Sequence, residues 1–401
     1  MFDLNQFIAA HITRRPTSLF AADLAERDAE LRERIDGRRV LVIGGAGTIG
    51  SSFIRALLHF RPAGLVVVDT NENGLTELTR DLRSRTDVEV PEEYRTYPIS
   101  YASEVFAKLF ANDPRFEIVA NFAAHKHVRS EKDHYSIEAM VRNNVIDAKG
   151  LLDQLLGRPP ERFFCVSTDK AANPVNVMGA SKKLMEEAIL AYSRDIPITT
   201  ARFANVAFSN GSLLFGFNER LMRRQPLSAP SDVRRYFVSP DESGQLCLLA
   251  CICGESGDIF YPKLGEEQMM TFSSIADAYL HAQGLSPKPY PTPEAARAAA
   301  AAWRDGEGYP VHYFASDTSG EKSFEEFFTE DETRDTERFR ELGVIKDAHR
   351  PRLDEVERAI ARLVLVFAKA ETSKADVVEA MSELVPGFAH IERGKGLDQR
   401  M

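Results

Sequence analysis

The residues best equipped for chemistry lie in one short run: Ser167-Thr168-Asp169-Lys170, then Asn173-Pro174, then Met178-Gly179-Ala180-Ser181-Lys182. The run begins where an apolar, strand-like stretch ends at Val166. It crosses a proline-containing loop and enters a helix that carries Lys182. A hydroxyl, a carboxyl and an amine side by side provide a hydrogen-bond donor, a general acid and a general base at one place. An amine works as a base only while neutral, and burial or the nearby Lys182 charge is expected to depress the pKa of Lys170 toward that state.

A second constellation precedes it. Gly44-Gly45-Ala46-Gly47-Thr48-Ile49-Gly50 falls between an apolar strand and a helical pattern. Gly44 permits a tight turn, Gly47 lets backbone approach a pyrophosphate, and Gly50 allows the helix to pack closely on the strand. The helix start at Thr48 and Ile49 then offers free N–H groups and a positive dipole end to phosphate. Asp69 follows at the end of the next strand, 19 positions after Gly50. A carboxylate there accepts hydrogen bonds from ribose hydroxyls and repels a 2′-phosphate. Asp69-Thr70-Asn71-Glu72 has no arginine to receive such a phosphate, so NAD is expected rather than NADP.

These residues need a scaffold that brings strand ends together. Apolar runs at Val40–Ile43, Leu65–Asp69, Ile118–Phe122, Phe163–Ser167 and Thr199–Phe203 alternate with helical patterns. Such alternation specifies an α/β fold, a doubly wound parallel sheet of Rossmann type with function at the strands' carboxyl ends. The expected organisation is a helical extension over 1–36, a dinucleotide-binding domain over 37–207, a smaller, mainly substrate-binding lobe over 208–345, and a helical region over 346–401. Thr17 to Ile35 reads as one charged helix with Ser18 as N-cap. Pro293 to Trp303 reads as an alanine-rich helix, and Leu353 to Leu384 as two helices parted near Thr372.

The bulk properties narrow the class. The chain of 401 residues is 44 % hydrophobic, enough for a large core and two lobes. Its net charge of −10, with both signs interspersed, argues against nucleic acid as a partner. No apolar run is long enough to span a bilayer, and the N-terminal stretch lacks a signal-peptide centre, so a cytoplasmic protein is expected. Cys247, Cys251 and Cys253 lie in an apolar stretch without a second ligand pair, so they are expected to be core residues and no metal is expected.

Several segments, taken in order, resemble the UDP-N-acetylglucosamine 4,6-dehydratase family, in the soluble form of the polysaccharide-biosynthesis branch of the extended short-chain dehydrogenases. They are Asn121 to Val128 with Lys126, the Ser167–Lys182 run, Arg202 to Val206 followed by Asn210-Gly211-Ser212, Arg235-Tyr236-Phe237, Ile259 to Lys263, and Gly320-Glu321-Lys322. The resemblance covers roughly Arg39 to Glu332. It implies oxidation of a UDP-sugar at carbon 4, loss of water across carbons 5 and 6, and return of the hydride at carbon 6, with NAD regenerated. It further implies that Asp169 protonates the departing hydroxyl, Lys170 removes the carbon 5 proton, Thr168 bonds the carbon 4 oxygen, and Lys182 holds the nicotinamide ribose. Ala123 and Ala124 would line the cofactor. Lys126, Met178, Asn205, Ser212, Arg235 and Glu321 would contact substrate, with Arg235 a diphosphate clamp. A homo-oligomer is expected on the same ground.

The chain departs from that pattern in places. Met178 stands where short-chain dehydrogenases usually carry a tyrosine base, which leaves the base for the first oxidation open between Asp169, Thr168 through a relay, and water. Pro98-Ile99-Ser100-Tyr101 replaces an expected adenine-binding Asp, Thr318-Ser319 an expected Arg-Pro, and His281 to His312 reads as an insertion. His125 and His127 are read as loop residues. Two other functions fit less of the sequence. A 4-epimerase shares the oxidation but has no leaving group for Asp169 to protonate. A non-catalytic NAD-binding sensor or scaffold is supported only by Met178.

Overall fold

The computed structural model describes residues 2–126, 131, 133–316, 322, 324–369, 371–385 and 387–390. The Val-, Ile- and Leu-rich runs form a layer buried on both faces, as parallel strands flanked by helices must be. The strands are β1 (Arg39–Ile43), β2 (Gly64–Val68), β3 (Glu93–Tyr97), β4 (Ile118–Asn121), β5 (Arg162–Val166) and β6 (Ile198–Ala201). They join in the order β3-β2-β1-β4-β5-β6, all parallel, followed by the parallel strand Ile259–Pro262. Two antiparallel strands, Leu342–Ile345 and the two-residue Arg334–Asp335, finish that edge, so nine strands make one sheet. The order reverses between β1 and β4, which opens a crevice beyond their carboxyl ends.

The Pro240–Cys253 helix is buried nearly all round. Ser239 and Glu242 close a capping box at its start, with Pro240 in the first turn. Gly244 lies so close to the backbone of Ser52 that a Cβ would overlap it, which lets this helix press against the Thr48–Leu58 helix behind the glycine turn. Cys247, Cys251 and Cys253 all sit inside this core, and Cys165 is buried in β5.

A second hydrophobic core, around Phe208, Phe217, Leu227, Ile275, Tyr279 and Val311, defines a smaller lobe. Its three-stranded sheet comprises Pro287–Pro289, Tyr309–Phe314 and Leu227–Pro230. The stretch read as an insertion therefore supplies lobe structure, including the Pro293–Ala302 helix capped by Thr292. Segment 208–345 divides between the two cores, because the strands Ile259–Pro262, Arg334–Asp335 and Leu342–Ile345 belong to the large sheet and the Pro240–Cys253 helix packs on it.

The N-terminus differs from the single helix expected over Thr17–Ile35. Ala21–Glu26 and Asp28–Ile35 are separate helices, and Ser18 caps neither. The Ser18 hydroxyl instead pairs with Gln245 and accepts the Phe20 N–H. The break follows from Asp23, which is buried and accepts the N–H groups of Arg340 and Glu341, fixing the first piece to the sheet's far edge. Ahead of it, Leu4–Phe7 runs into a wide turn over Ile8–Ile12, and Phe7, Ile8 and Ile12 insert into the small lobe's core. At the other end, Leu353–Phe367 and Lys374–Leu384 form the two expected helices and pack on the Val177–Ala191 helix. No helix among the described residues is long and apolar enough to cross a membrane.

Candidate active site

The glycine turn closes as its sequence requires. Gly44 has φ +75°, and a Cβ there would lie 2.5 Å from the Ala123 nitrogen at the end of β4. A Cβ on Gly50 would collide with the Gly44 carbonyl oxygen. No side chain caps the Thr48–Leu58 helix, so the N–H groups of its first turn face outward for an anion. Asp69 Oδ2 accepts the Ala46 N–H at 2.9 Å and Oδ1 accepts the Asn71 N–H at 2.9 Å. Each oxygen retains acceptor capacity for ribose hydroxyls. Asn71 caps the next helix through the Gly74 N–H. These features fit a dinucleotide: a close-approach turn, an uncapped helix start and a half-satisfied carboxylate. The Thr48 hydroxyl accepts the Asn210 N–H, tying this cradle to the segment that leads into the small lobe.

Two strands away, at the end of β5, the run expected to carry the chemistry folds into a tight turn, Asp169–Ala171. With neighbouring strands about 4.8 Å apart, this turn and the glycine turn face each other across roughly 10 Å. Asp169 Oδ1 accepts the Thr168 hydroxyl at 2.8 Å, the Lys170 N–H at 2.9 Å and the Lys170 ammonium at 3.0 Å. Asp169 is 3 % exposed. Lys170 also lies 3.7 Å from Glu325, a buried carboxylate of the far segment. Burial pulls the pKa of Lys170 down, but Asp169 and Glu325 outweigh it and the net direction is upward. Burial pushes the Glu325 carboxyl up, opposed by Lys170 and Arg235.

The expected depression of the Lys170 pKa is thereby overturned, and Lys182 is not the cause of either trend. The Lys182 ammonium turns into the core, donating to the Val166 carbonyl at 2.8 Å with Met185 Sδ at 3.3 Å. Burial pulls its own pKa down. Met178 is buried in the first turn of its helix, where its N–H donates to Glu131 Oε1 at 2.9 Å. Buried Asn144 joins the β4 loop to this helix: it accepts the His125 N–H, donates to the His125 carbonyl and donates to Ser181.

The other expected contacts vary. Arg235 is buried, and its guanidinium donates to the Arg234 and Lys322 carbonyls and lies 3.8 Å from Glu325, so it is turned toward the far segment. The Ser212 hydroxyl is occupied as N-cap of the Leu213–Met222 helix. Asn205 pairs with the Tyr236 carbonyl through its N–H, while its side-chain Nδ2 is buried without a hydrogen-bond partner, one of the few such atoms among the described residues. Lys126 is exposed at the end of the β4 loop, beyond Ala123 and Ala124. Tyr101, in the stretch that replaces an adenine-binding Asp, is buried and donates to the Asn143 carbonyl. Glu321, His127, Thr318 and Ser319 lie outside the described residues.

Beneath the site is a fully buried arginine. Arg202 pairs with Glu186 at 2.8 and 2.9 Å and with Glu332 at 2.9 Å twice, and donates to the Phe327 carbonyl. Ser167, beside the Asp169–Ala171 turn, donates to Glu186 at 2.6 Å. Sequence reasoning missed Glu325, Glu131 and Glu186. Only Glu186, one turn after Lys182 on the same helix, carried a local signal for its place near the site.

Comparison with known proteins places the chain in a family. A protein of Methanocaldococcus jannaschii named uncharacterized membrane protein MJ1061 is 33 % identical over 233 residues, 57 % of this chain and 67 % of that one. Bacillus subtilis EpsC, a probable polysaccharide biosynthesis protein, is 27 % identical over 266 residues, 66 % of this chain. The chain spans only 44 % of EpsC's length. The inverting UDP-N-acetylglucosamine 4,6-dehydratase of Campylobacter jejuni is 24 % identical over 237 residues, 57 % of this chain and 68 % of that one. Among solved structures, Pen from Bacillus thuringiensis shares the fold with a TM-score of 0.63 at 20 % identity, over 80 % of this chain and 91 % of that one. A family model described as polysaccharide biosynthesis protein matches residues 40–347, through both the glycine turn and the Asp169–Ala171 turn. The chain belongs to this polysaccharide biosynthesis protein family.

Proposed function

We propose that the protein is a nucleotide-sugar 4,6-dehydratase that converts a UDP-N-acetylhexosamine, UDP-N-acetylglucosamine first among candidates, into the 4-keto-6-deoxy sugar. The observation that carries this reading is the buried Asp169–Lys170 contact at 3.0 Å, set beside Thr168 and facing a dinucleotide cradle. An acid and an amine so paired suit elimination of water, whereas an epimerisation has no leaving group to protonate.

Gly44, the first turn of the Thr48–Leu58 helix and Asp69 would hold NAD, which supplies a reversible hydride acceptor when bound. Thr168 would donate to the sugar's carbon 4 oxygen; its hydroxyl now rests on Asp169 and is released when substrate takes it. The Asp169–Lys170 contact lets a proton cross from Nζ to Oδ1, which turns an ion pair into an amine and a carboxylic acid. The amine then takes the proton from carbon 5 while the acid protonates the hydroxyl leaving carbon 6. This restores the ion pair, so the proton count closes within two side chains. The small lobe around Phe208, Phe217 and Tyr279 is the substrate lobe in this reading.

The test is proton NMR of UDP-N-acetylglucosamine incubated with the protein in deuterated water. A new methyl signal with deuterium at carbon 5 is the expected result. Conversion to the galacto-isomer without methyl formation would replace the dehydratase reading with an epimerase. Tight NAD binding without turnover of any UDP-sugar would remove both.

A further inference from the structure

The segment after the substrate lobe docks on the catalytic turn through a series of polar contacts. Asn173 donates to Glu326 at 2.8 Å, Arg202 donates to the Phe327 carbonyl at 3.1 Å, and Glu325, immediately before these two anchored residues, points inward. Glu325 is 3 % exposed and faces Lys170 at 3.7 Å and Arg235 at 3.8 Å. A buried carboxylate is costly unless it is paired, and this one spends its charge on the lysine expected to move a proton and on a buried arginine.

We propose that Glu325 is a positioning residue for the elimination: it reaches in from the far segment, holds Lys170 against Asp169 and governs when that amine becomes a base. The proposal rests on the dehydratase reading for its catalytic meaning, but its physical content is independent of turnover. The charged groups facing Lys170 are Asp169 on its own turn, and Glu325 and Arg235 from the two segments packed over it. Lys322 adds a positive charge toward Glu325. Asp169 and Glu325 favour the ammonium, and Arg235 opposes it. Removing the Glu325 charge therefore leaves one carboxylate against Arg235, and Lys170 loses its proton at lower pH. An opposite charge at this range shifts a pKa by about 1 unit or more, so the neutral fraction of Lys170 rises about tenfold at a pH below its midpoint.

The experiment is competitive acylation of the full-length protein with trace acetic anhydride across a pH series, with Lys170 labelling read by mass spectrometry. Glu325→Gln is compared with wild type and with Glu325→Asp, which keeps the charge and guards against a variant that merely unfolds. The expected result is a Lys170 midpoint about one pH unit lower in Glu325→Gln, with other lysines unmoved and Glu325→Asp near wild type. Emergence of Lys170 labelling only in Glu325→Gln also supports the proposal. Identical Lys170 curves in wild type and Glu325→Gln overturn it. If UDP-N-acetylglucosamine is turned over, the acidic limb of carbon 5 deuterium exchange moves with the same midpoint in Glu325→Gln. An absence of turnover with the labelling shift intact would overturn the dehydratase reading and leave the Glu325–Lys170 coupling standing.

Discussion

Replacing Arg202 with methionine keeps a long, unbranched side chain in its place and removes only the charge and the donors. The guanidinium is fully buried and bonds Glu186 through two nitrogens and Glu332 through two more contacts. Glu186 is itself 1 % exposed. Breaking such a pair strands a buried carboxylate, which costs about 3–5 kcal/mol. Lys183 stands 4.0 Å from Glu186 and Ser167 donates to it, so the loss belongs near about 3 kcal/mol, the lower end of that range. The pH dependence gives the sharper test. Burial tends to raise the Glu186 pKa, but Arg202 outweighs it and the folded value lies below the ordinary one. In wild type Glu186 thus contributes stability that is present above its unfolded pKa and lost as pH falls through the folded value. Without Arg202 burial dominates and the folded value rises. The stability Glu186 then contributes is present below its unfolded pKa and lost as pH rises through the folded one. Urea unfolding of Arg202→Met against wild type should therefore show its largest deficit at about pH 8 and a smaller one at about pH 5. Adding Glu186→Gln should recover part of the loss. A deficit under about 1 kcal/mol, or one equal at both pH values, would refute the claim that Arg202 holds Glu186 charged.

Three further outcomes follow from the site. Lys170→Ala should lower the elimination rate by about 10²–10⁴-fold while leaving NAD affinity unchanged by isothermal titration, and unaltered turnover would remove Lys170 from the chemistry. Asp69→Ala loses an acceptor that serves Ala46 and Asn71 and that the proposed reading assigns to the ribose, so NAD affinity should fall about tenfold or more by the same titration. Gly50→Ala places a methyl group against the Gly44 carbonyl, so the turn must shift, with a thermal-unfolding loss of about 1–3 kcal/mol and weaker NAD binding.

The parallel strands were legible because strands buried on both faces read as continuous apolar runs, and β1, β2, β4, β5 and β6 fall within about two residues of their expected limits. The glycine turn and Asp69 were legible because their geometry is local, set by backbone within a single strand-turn-helix-strand unit. The N-terminal helix break was not, because Asp23 is pinned by N–H groups more than 300 positions away. Two-residue strands such as Asn205–Val206 against Phe237–Val238 leave no periodicity to detect. Glu325 stood among ordinary charged residues, and only the fold carries it to Lys170. Lys182 misled for the opposite reason: proximity in sequence suggested a charge beside Lys170, whereas the helix turns that ammonium toward the Val166 carbonyl.

The two margins of the large sheet bear on how copies of the chain can meet. One ends in Arg334–Asp335, too short to template another strand, with the Arg334 guanidinium stacked over the Phe328 ring. The other is β3, where Arg95 is drawn sideways to Glu93 and Asp113 and Arg39 also pairs with Glu93, so charge lies along the open edge. Short, charged borders of this kind discourage a neighbouring chain from adding strands. Continuous sheets across subunits, and the fibre-like stacking that begins from them, are thereby disfavoured. At the borders of this sheet, contact between copies is left to side-chain shape rather than backbone pairing.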